Sequence, residues 1–446
     1  MKTKLMLILL FLGSFIFPVY VFGQSMIKEP NIRVGILSNQ PNVMISANND
    51  FVVADTDTKK IIAKFKPREK VSITLSSKSI AINGKPIASK GINITSKANS
   101  ESAIMINRHS YRGEISIHRT YGKNGLTVIN TLPIEQYLYG VVAREMSPGW
   151  PSEAVKAQAV AARTYALYSL SLKKHKADGY DVCASTDCQV YGGRDSEAAG
   201  AVKAVSATYG ETIYYKGKLI PAYFHSSSGG YTENSENVWG GAYPYLQGVA
   251  DYDQKSPYFK WEKKFTVNEL EMALKNAGYD VGSIQSIELS RLTQPPVRSF
   301  DRGISGRVKE IRVTGTNGTV YITGNKLRSA LALKSTLFDI EVILPGKKVL
   351  EFDVTDSYGD RWTKEVPVNL PSQKNDTFLN QKNAIHRITA RTNETIVFTG
   401  FGWGHGIGLS QWGAKAMAEN APKGDTTYFK QILKHYYQGV DIKKAY

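Results

Sequence analysis

The chain has 446 residues, 42% of them hydrophobic and 11% aromatic, with 56 Lys and Arg against 39 Asp and Glu for a formal charge of +17. That length and composition exclude a disordered polymer and leave room for two or three domains with packed cores. The charge favours an anionic partner, but the cations are spread out, with no zinc-finger spacing, RNA-binding signature or concentrated basic block, so nucleic acid is excluded as the expected partner.

Lys2 and Lys4 precede an almost continuous apolar run from Leu5 to Phe22 that ends at Gly23. The pattern predicts a secretory signal peptide over residues 1–23, interrupted at Gly13 and Pro18; an uncleaved membrane anchor is the alternative, because the run is long enough to span. Export would place the protein in the cell envelope, periplasmic or extracellular. No cysteine precedes Cys183, which excludes lipid attachment at the N-terminus.

Residues 24–110 alternate in short β-type runs such as Ile32–Leu37 and Val71–Leu75, parted by Asn48-Asn49-Asp50 and Asn83-Gly84. They predict a β-rich N-terminal region without a catalytic constellation. Residues 131–142 then change to a short helical turn leading to Glu145. A Pro148-Gly149-Trp150-Pro151 corner follows, with Pro151 suited to a first helical position and Ser152 and Glu153 to the first turn. The helix that follows carries Ala154, Val155, Ala157, Ala159, Val160, Ala161 and Ala162. So little side-chain bulk on several faces predicts a central, closely packed element.

Beyond it, residues 196–208 predict a second Ala/Val helix. Residues 212–223 predict a hairpin turned at Lys216-Gly217-Lys218, and 266–278 an amphipathic helix with Leu270, Met272, Ala273 and Leu274 inward. A second hairpin pairs 308–313 with 319–322 across Asn317-Gly318. Residues 344–395 are polar and irregular, with strand-like pieces at 349–352 and 365–368, and look inserted. The fold class expected is α+β: a β-rich N-terminal region, then a mixed catalytic domain over 111–443 built round the Ala-rich helix and carrying a β-containing insertion.

Three groups of residues invite chemistry. Cys183 and Cys188 are the two cysteines. In an exported chain a short-loop disulfide is the default, with free thiols a further alternative. Zinc is the sharper alternative, with His175 as third ligand, although these three leave a tetrahedral shell incomplete. No other metal or cofactor is expected. His225 followed by Ser226, Ser227 and Ser228 suggests a Ser–His nucleophile, but neither a strained elbow nor an orienting acid is legible. Glu145 is the stronger candidate. It follows Val141-Val142-Ala143 and precedes Met146, and burial among such neighbours raises a carboxyl pKa, as general-acid work near neutral pH requires. An ion pair with Arg144 or Arg163 is the competing explanation.

Glu145, the Ala157–Ala166 run and Gly404-His405-Gly406-Ile407-Gly408-Leu409-Ser410-Gln411-Trp412-Gly413-Ala414 together resemble the sporulation stage II protein D family, which includes peptidoglycan lytic transglycosylases and amidase-enhancer proteins. Tyr111-Arg112-Gly113, Leu132–Leu138 and Phe224–Thr232 extend the resemblance, in order, from about Tyr111 to Tyr437. It implies cleavage of the glycan strand between N-acetylmuramic acid and N-acetylglucosamine, with Glu145 protonating the glycosidic oxygen and the sugar's own C6 hydroxyl attacking. The product is a 1,6-anhydro end, and one carboxylate suffices where hydrolysis ordinarily uses two. Arg163, Tyr165, Ser227, His405 and Gln411 would then bind or orient sugars. The resemblance also implies peptidoglycan strands stripped of stem peptides as substrate and, through its enhancer branch, a cell-wall amidase as partner of a non-catalytic protein.

Overall fold

The computed structural model describes residues 28–76, 79–97, 102–297, 299–343, 349–355, 361–367, 384–388 and 394–446. The predicted signal peptide lies outside them, as does most of the predicted insertion. Among the described residues no helix is long and apolar enough to cross a membrane.

Alternation builds two sheets from residues 31–133, joined by Val182–Cys183. One has seven strands in the order Val182–Cys183, Asn31–Gln40, Leu126–Pro133, Glu114–Arg119, Gly91–Ser96, Phe51–Asp55 and Ile61–Phe65. The other has six, in the order His109–Tyr111, Ile104–Ile106, Asn42–Ala47, Val71–Leu75, Ile80–Ile82 and Lys85–Ile87. Alternate side chains, among them Ile32, Val34, Val43, Ile45, Ile92, Ile94, Ile115 and Ile117, are buried in one shared core. That core continues into the helices, and Ile117 pairs across the sheet with Ile92. The expected boundary at 110/111 therefore falls inside one packed unit, with no break in the core.

Strand Leu126–Pro133 passes through Pro133 into helix α1 (Ile134–Glu145), a full helix where only a short turn was expected, with Glu145 as its last residue. Helix α2 (Ser152–Leu172) begins one residue after Pro151, which serves as its N-cap in extended conformation. Ala154, Ala157, Ala159, Ala161, Ala162 and Ala166 are all fully buried. The helix packs on α1, on α3 (Ala199–Ala207), and on the C-terminal helices α7 (Gln411–Glu419) and α8 (Phe429–Tyr436). Small side chains allow this approach from several sides, as the sequence predicts.

Helix α4 (Ser235–Trp239) is a short element beside this core. The Glu211–Tyr215/Lys218–Leu219 hairpin turns on Lys216 and Gly217, both at positive φ, and Glu211–Tyr215 also pairs with Asp441–Lys444. A second core gathers Trp261, Leu270, Leu274, Ile287, Val313, Phe338 and Phe398. It lies under the sheets Lys260–Thr266/Thr395–Phe401/Phe338–Ile343 and Gly318–Thr323/Glu310–Gly315/Ile284–Leu289/Ala384–Arg387, with helices α5 (Val267–Asn276) and α6 (Gly324–Ala330). A reciprocal Thr266–Glu269 capping box starts α5. Leu270 and Leu274 face inward as expected, whereas Met272 is 60% exposed because it lies on the opposite face. Within the predicted insertion, Val349–Thr355 and Arg361–Pro367 pair as an antiparallel ribbon.

Strand Thr395–Phe401 leads out of the second core into the Gly-rich loop, and Leu409–Ser410 then pairs in parallel with Phe224–His225 of the first unit. Gly404 and Gly406 have φ of 117° and 83°, and a Cβ at Gly406 would stand 2.2 Å from Arg307 Cζ. Both conformation and space therefore demand glycine.

Candidate active site

Glu145 sits where α1 ends against two other segments. Its Oε1 accepts a hydrogen bond from the Val190 backbone N–H at 3.3 Å, and its carboxylate also hydrogen-bonds the Gln411 side chain. Gln411 opens α7, which Ser410 caps by accepting from the Gly413 N–H. Gln411 is itself buried and donates through Nε2 to Gln158 Oε1 at 3.3 Å. The Gln158 Nε2 has no hydrogen-bond partner. Burial raises the Glu145 pKa, and the hydrogen bonds and the Arg144 charge only partly offset it. No second carboxylate contributes to that shift among the described residues. Burial thus shifts Glu145 toward its protonated form, the direction that general-acid work requires.

Two turns along α2 from Gln158, on the same face and roughly 10 Å away, lies Tyr165. Its ring begins an aromatic row: Tyr165 to Tyr223 at 5.8 Å between centroids, Tyr223 to Trp239 at 4.6 Å, and Trp239 to His405 at 4.9 Å. Trp239 is exposed. On the Glu145 side, Trp150 stands edge-on to Trp412 at 4.8 Å, with Lys415 over both rings. Such rings offer apolar faces in a polar setting, the surface a pyranose needs.

The sequence-predicted residues divide. Glu145 and Gln411 meet directly, and Tyr165 and His405 share the aromatic row. His405 is half-buried with both nitrogens engaged: Nδ1 accepts from the Ile407 N–H at 3.0 Å, and the ring also bonds the Phe224 backbone. Burial, then the Arg328 and Arg307 charges, push its pKa down to about 3, so it is neutral throughout the physiological range.

Arg163 and Ser227 are in the interior, which corrects the expectation that they touch sugars. Arg163 is fully buried and forms a bidentate pair with Glu135, Nε to Oε1 and Nη2 to Oε2, both at 2.7 Å. Its remaining donors reach the Val205 and Glu211 carbonyls. Its partner is therefore Glu135, so Arg163 is not the counter-ion of Glu145; the Arg144 charge does act on Glu145 but only partly offsets its burial. Ser227 is also fully buried, and its hydroxyl donates to Asp253. His225 Nδ1 faces the Ile407 carbonyl at 3.2 Å, so the described residues form no Ser–His pair there.

Cys183 and Cys188 are both unbonded thiols, their sulfurs 2.9 Å apart. His175 Nε2 lies 3.4 Å from Cys188 Sγ, and Asp187 Oδ2 lies 3.7 Å from His175 Nε2 and 3.9 Å from Cys183 Sγ. The four ligand atoms all lie within 4.8 Å of one another. The expected three-residue set thus gains Asp187, which sequence reasoning missed although it directly precedes Cys188. Two thiolates, an imidazole and a carboxylate are the donor set zinc takes, and the four ligand atoms lie close enough together to share one ion after small side-chain adjustments. The loop carrying them leads straight to Val190, the Glu145 partner.

Trp239, Tyr223 and Gln158 were also not anticipated as site residues. Only long-range packing brings Tyr223 and Trp239 into the aromatic row and Gln158 to Gln411, although the Val238-Trp239-Gly240-Gly241 stretch stands out in the sequence.

Comparison with known proteins places the chain among relatives. A family model described as stage II sporulation protein matches residues 122–215, and one described as a domain of unknown function matches residues 245–355. The chain is 34% identical over 317 residues to an uncharacterized protein of Brachyspira hyodysenteriae, covering 71% of this chain and 68% of that one. It is 30% identical over 334 residues to stage II sporulation protein D of Bacillus amyloliquefaciens, covering 71% of this chain and 76% of that one. It is 31% identical over 317 residues to the amidase enhancer of Bacillus subtilis, covering 68% of this chain but only 40% of that longer protein. With these motifs, this fold and these relatives, the chain belongs to the stage II sporulation protein D and amidase-enhancer family.

Proposed function

We propose that the protein is a peptidoglycan lytic transglycosylase of the cell envelope. The observation that carries this reading is Glu145: a single carboxyl whose pKa burial raises, held by the Val190 N–H and the Gln411 side chain, with no second carboxylate contributing to its shift among the described residues. Protonated Glu145 gives its proton to the glycosidic oxygen as the C1–O bond of N-acetylmuramic acid breaks. The C6 hydroxyl of the same sugar then bonds to C1, and its proton returns to the Glu145 carboxylate. Atoms balance without water, and the new end is 1,6-anhydro. The Val190 N–H and the Gln411 amide hold the carboxylate while it is ionised. Tyr165, Tyr223 and Trp239 take the sugar faces. Glu145→Gln should abolish anhydro ends in mass spectra of digested glycan while the protein stays folded.

A second reading has one observation behind it, the relative named amidase enhancer: a non-catalytic wall-binding protein that stimulates a cell-wall amidase. It predicts no anhydro products from the protein alone and faster release of stem peptides when an amidase is added.

We also propose that His175, Cys183, Asp187 and Cys188 hold a zinc ion. Four protein donors close the shell, so zinc there would act structurally, tying the loop that presents Val190 to Glu145.

A further inference from the structure

The sheet that covers the second core has an outer face with a pocket of its own. Along Ile284–Leu289 and Glu310–Gly315, the side chains of Ile287, Leu289, Ile311 and Val313 turn into that core, so Glu288, Glu310 and Arg312 stand on the opposite face. The strand register sets Glu288 opposite Arg312 and Arg312 opposite Tyr321, one row across three strands. Phe300, from the loop between the first two of these strands, lines the same cavity.

That loop is pinned. Buried Asp301 accepts from the Ser290 backbone N–H at 2.6 Å and from the Ser299 hydroxyl, and its carbonyl accepts from the Lys309 and Glu310 N–H groups at 2.8 and 3.3 Å. Phe300 is therefore held at the cavity although it is 72% exposed, and Tyr321 is 60% exposed. Single exposed rings are ordinary on a protein surface. Two that share one cavity with unpaired polar groups point to a ligand.

The cavity measures about 230 Å³ and is lined by Glu288, Phe300, Asp301, Glu310, Arg312 and Tyr321. It is smaller than the roughly 300–1,000 Å³ of a drug-sized site and has room for a single sugar ring. Arg312 gives Nη1 to both Glu288 oxygens at 3.0 Å, and the rest of its guanidinium, Nε included, makes no bond among the described residues. The Glu310 carboxylate is exposed and unpaired among the described residues. A spare donor and a spare acceptor on one strand face suit neighbouring hydroxyls, which both give and accept hydrogen bonds. The two rings suit the apolar C–H face of a pyranose. Charge narrows the class further. Three carboxylates and one guanidinium line this cavity in a chain of formal charge +17, so an anionic ligand would meet the wrong sign.

We propose that this pocket is a second glycan-binding site, which holds one neutral N-acetylhexosamine ring against Phe300 and Tyr321 with its hydroxyls on Glu310 and Arg312. The identity of the sugar rests on the reading of the protein as a wall-glycan enzyme. None of the pocket residues belongs to the Glu145 site or to the aromatic row, so the second lobe tethers a strand independently of the chemistry.

The test measures binding of chitotetraose, and of a lysine-containing tripeptide as the amine-bearing rival for a pocket of rings and carboxylates. The purified protein carries Trp239→Ala, which removes the exposed ring of the aromatic row. Chitotetraose should bind this protein, and adding Phe300→Ala or Tyr321→Ala should weaken that binding about tenfold. Both rings are exposed, so melting temperatures should stay unchanged and serve as the folding control. Failure to bind chitotetraose, binding indifferent to both substitutions, or binding of the tripeptide in its place overturns the proposal. Ring-dependent chitotetraose binding by a protein that cleaves no glycan would end the transglycosylase reading and keep the pocket. Cleavage by the wild type without ring-dependent binding would do the reverse.

Discussion

Arg163 and Glu135 face each other across the helices α1 and α2 with two parallel N–H···O bonds of 2.7 Å, and the Tyr446 hydroxyl adds a third bond to Glu135 at 2.6 Å. The pair joins the helix that ends at Glu145 to the one that lines the cleft, and ties both to the C-terminus. Removing one partner leaves a buried charge unpaired. Arg163→Met should therefore destabilise the fold by about 3–5 kcal/mol, and the double variant with Glu135→Gln should recover part of that loss. Denaturant unfolding measures it. Residual folded Arg163→Met protein should keep its glycan affinity, since Arg163 does not reach the cleft.

Glu145 links stability and activity to pH with opposite consequences. Its folded pKa is raised above the unfolded value, so ionisation costs folding energy as pH rises between the two values. Glu145→Gln removes that cost. Its melting temperature should exceed that of the wild type near pH 7–8, and the gap should close below about pH 4, where the carboxyl is protonated in both states. Wild-type cleavage should decline on the alkaline side as the general acid loses its proton. Melting curves and initial rates across pH test both.

The Gly-rich loop should tolerate no side chain at Gly406. Gly406→Ala must hold a φ of 83° and accommodate a Cβ within 2.2 Å of Arg307, which is itself fixed by carbonyl contacts. We expect a loss of about 2 kcal/mol or more in unfolding experiments. Gly424→Ala also has a positive φ, 85°, but meets nothing within 4 Å, so a smaller loss there separates contact from strain.

Zinc at the cysteine cluster predicts about one metal ion per chain by elemental analysis. Chelation should lower the melting temperature, and Asp187→Ala should weaken retention. A disulfide between Cys183 and Cys188 in the metal-free purified protein would contradict this.

What could be anticipated from sequence follows the reach of the interaction. Helix α2, the Lys216-Gly217 hairpin and the turns of the glycine loop depend on neighbouring residues, and the alternation of Ile32, Val34, Ile115 and Ile117 depends on local period. Glu145 stood out because nothing nearby in the chain accounts for it. The packing of the first sheets onto the helices was not legible, nor was the pairing of His225 with Ser410, because both join distant segments. The same limit hid Asp187, which is ordinary in its local sequence. The family resemblance implies Arg163 as a sugar ligand; its partner is instead Glu135 in the preceding helix, a pairing that only the packing of the two helices reveals.

The most direct measurement is product analysis. Purified protein and its Glu145→Gln variant are incubated with glycan strands stripped of stem peptides, and the ends formed are identified by mass spectrometry. The account predicts 1,6-anhydro-N-acetylmuramic acid ends from the wild type and none from the variant. Reducing ends, no cleavage by the wild type, or full activity in Glu145→Gln would contradict it.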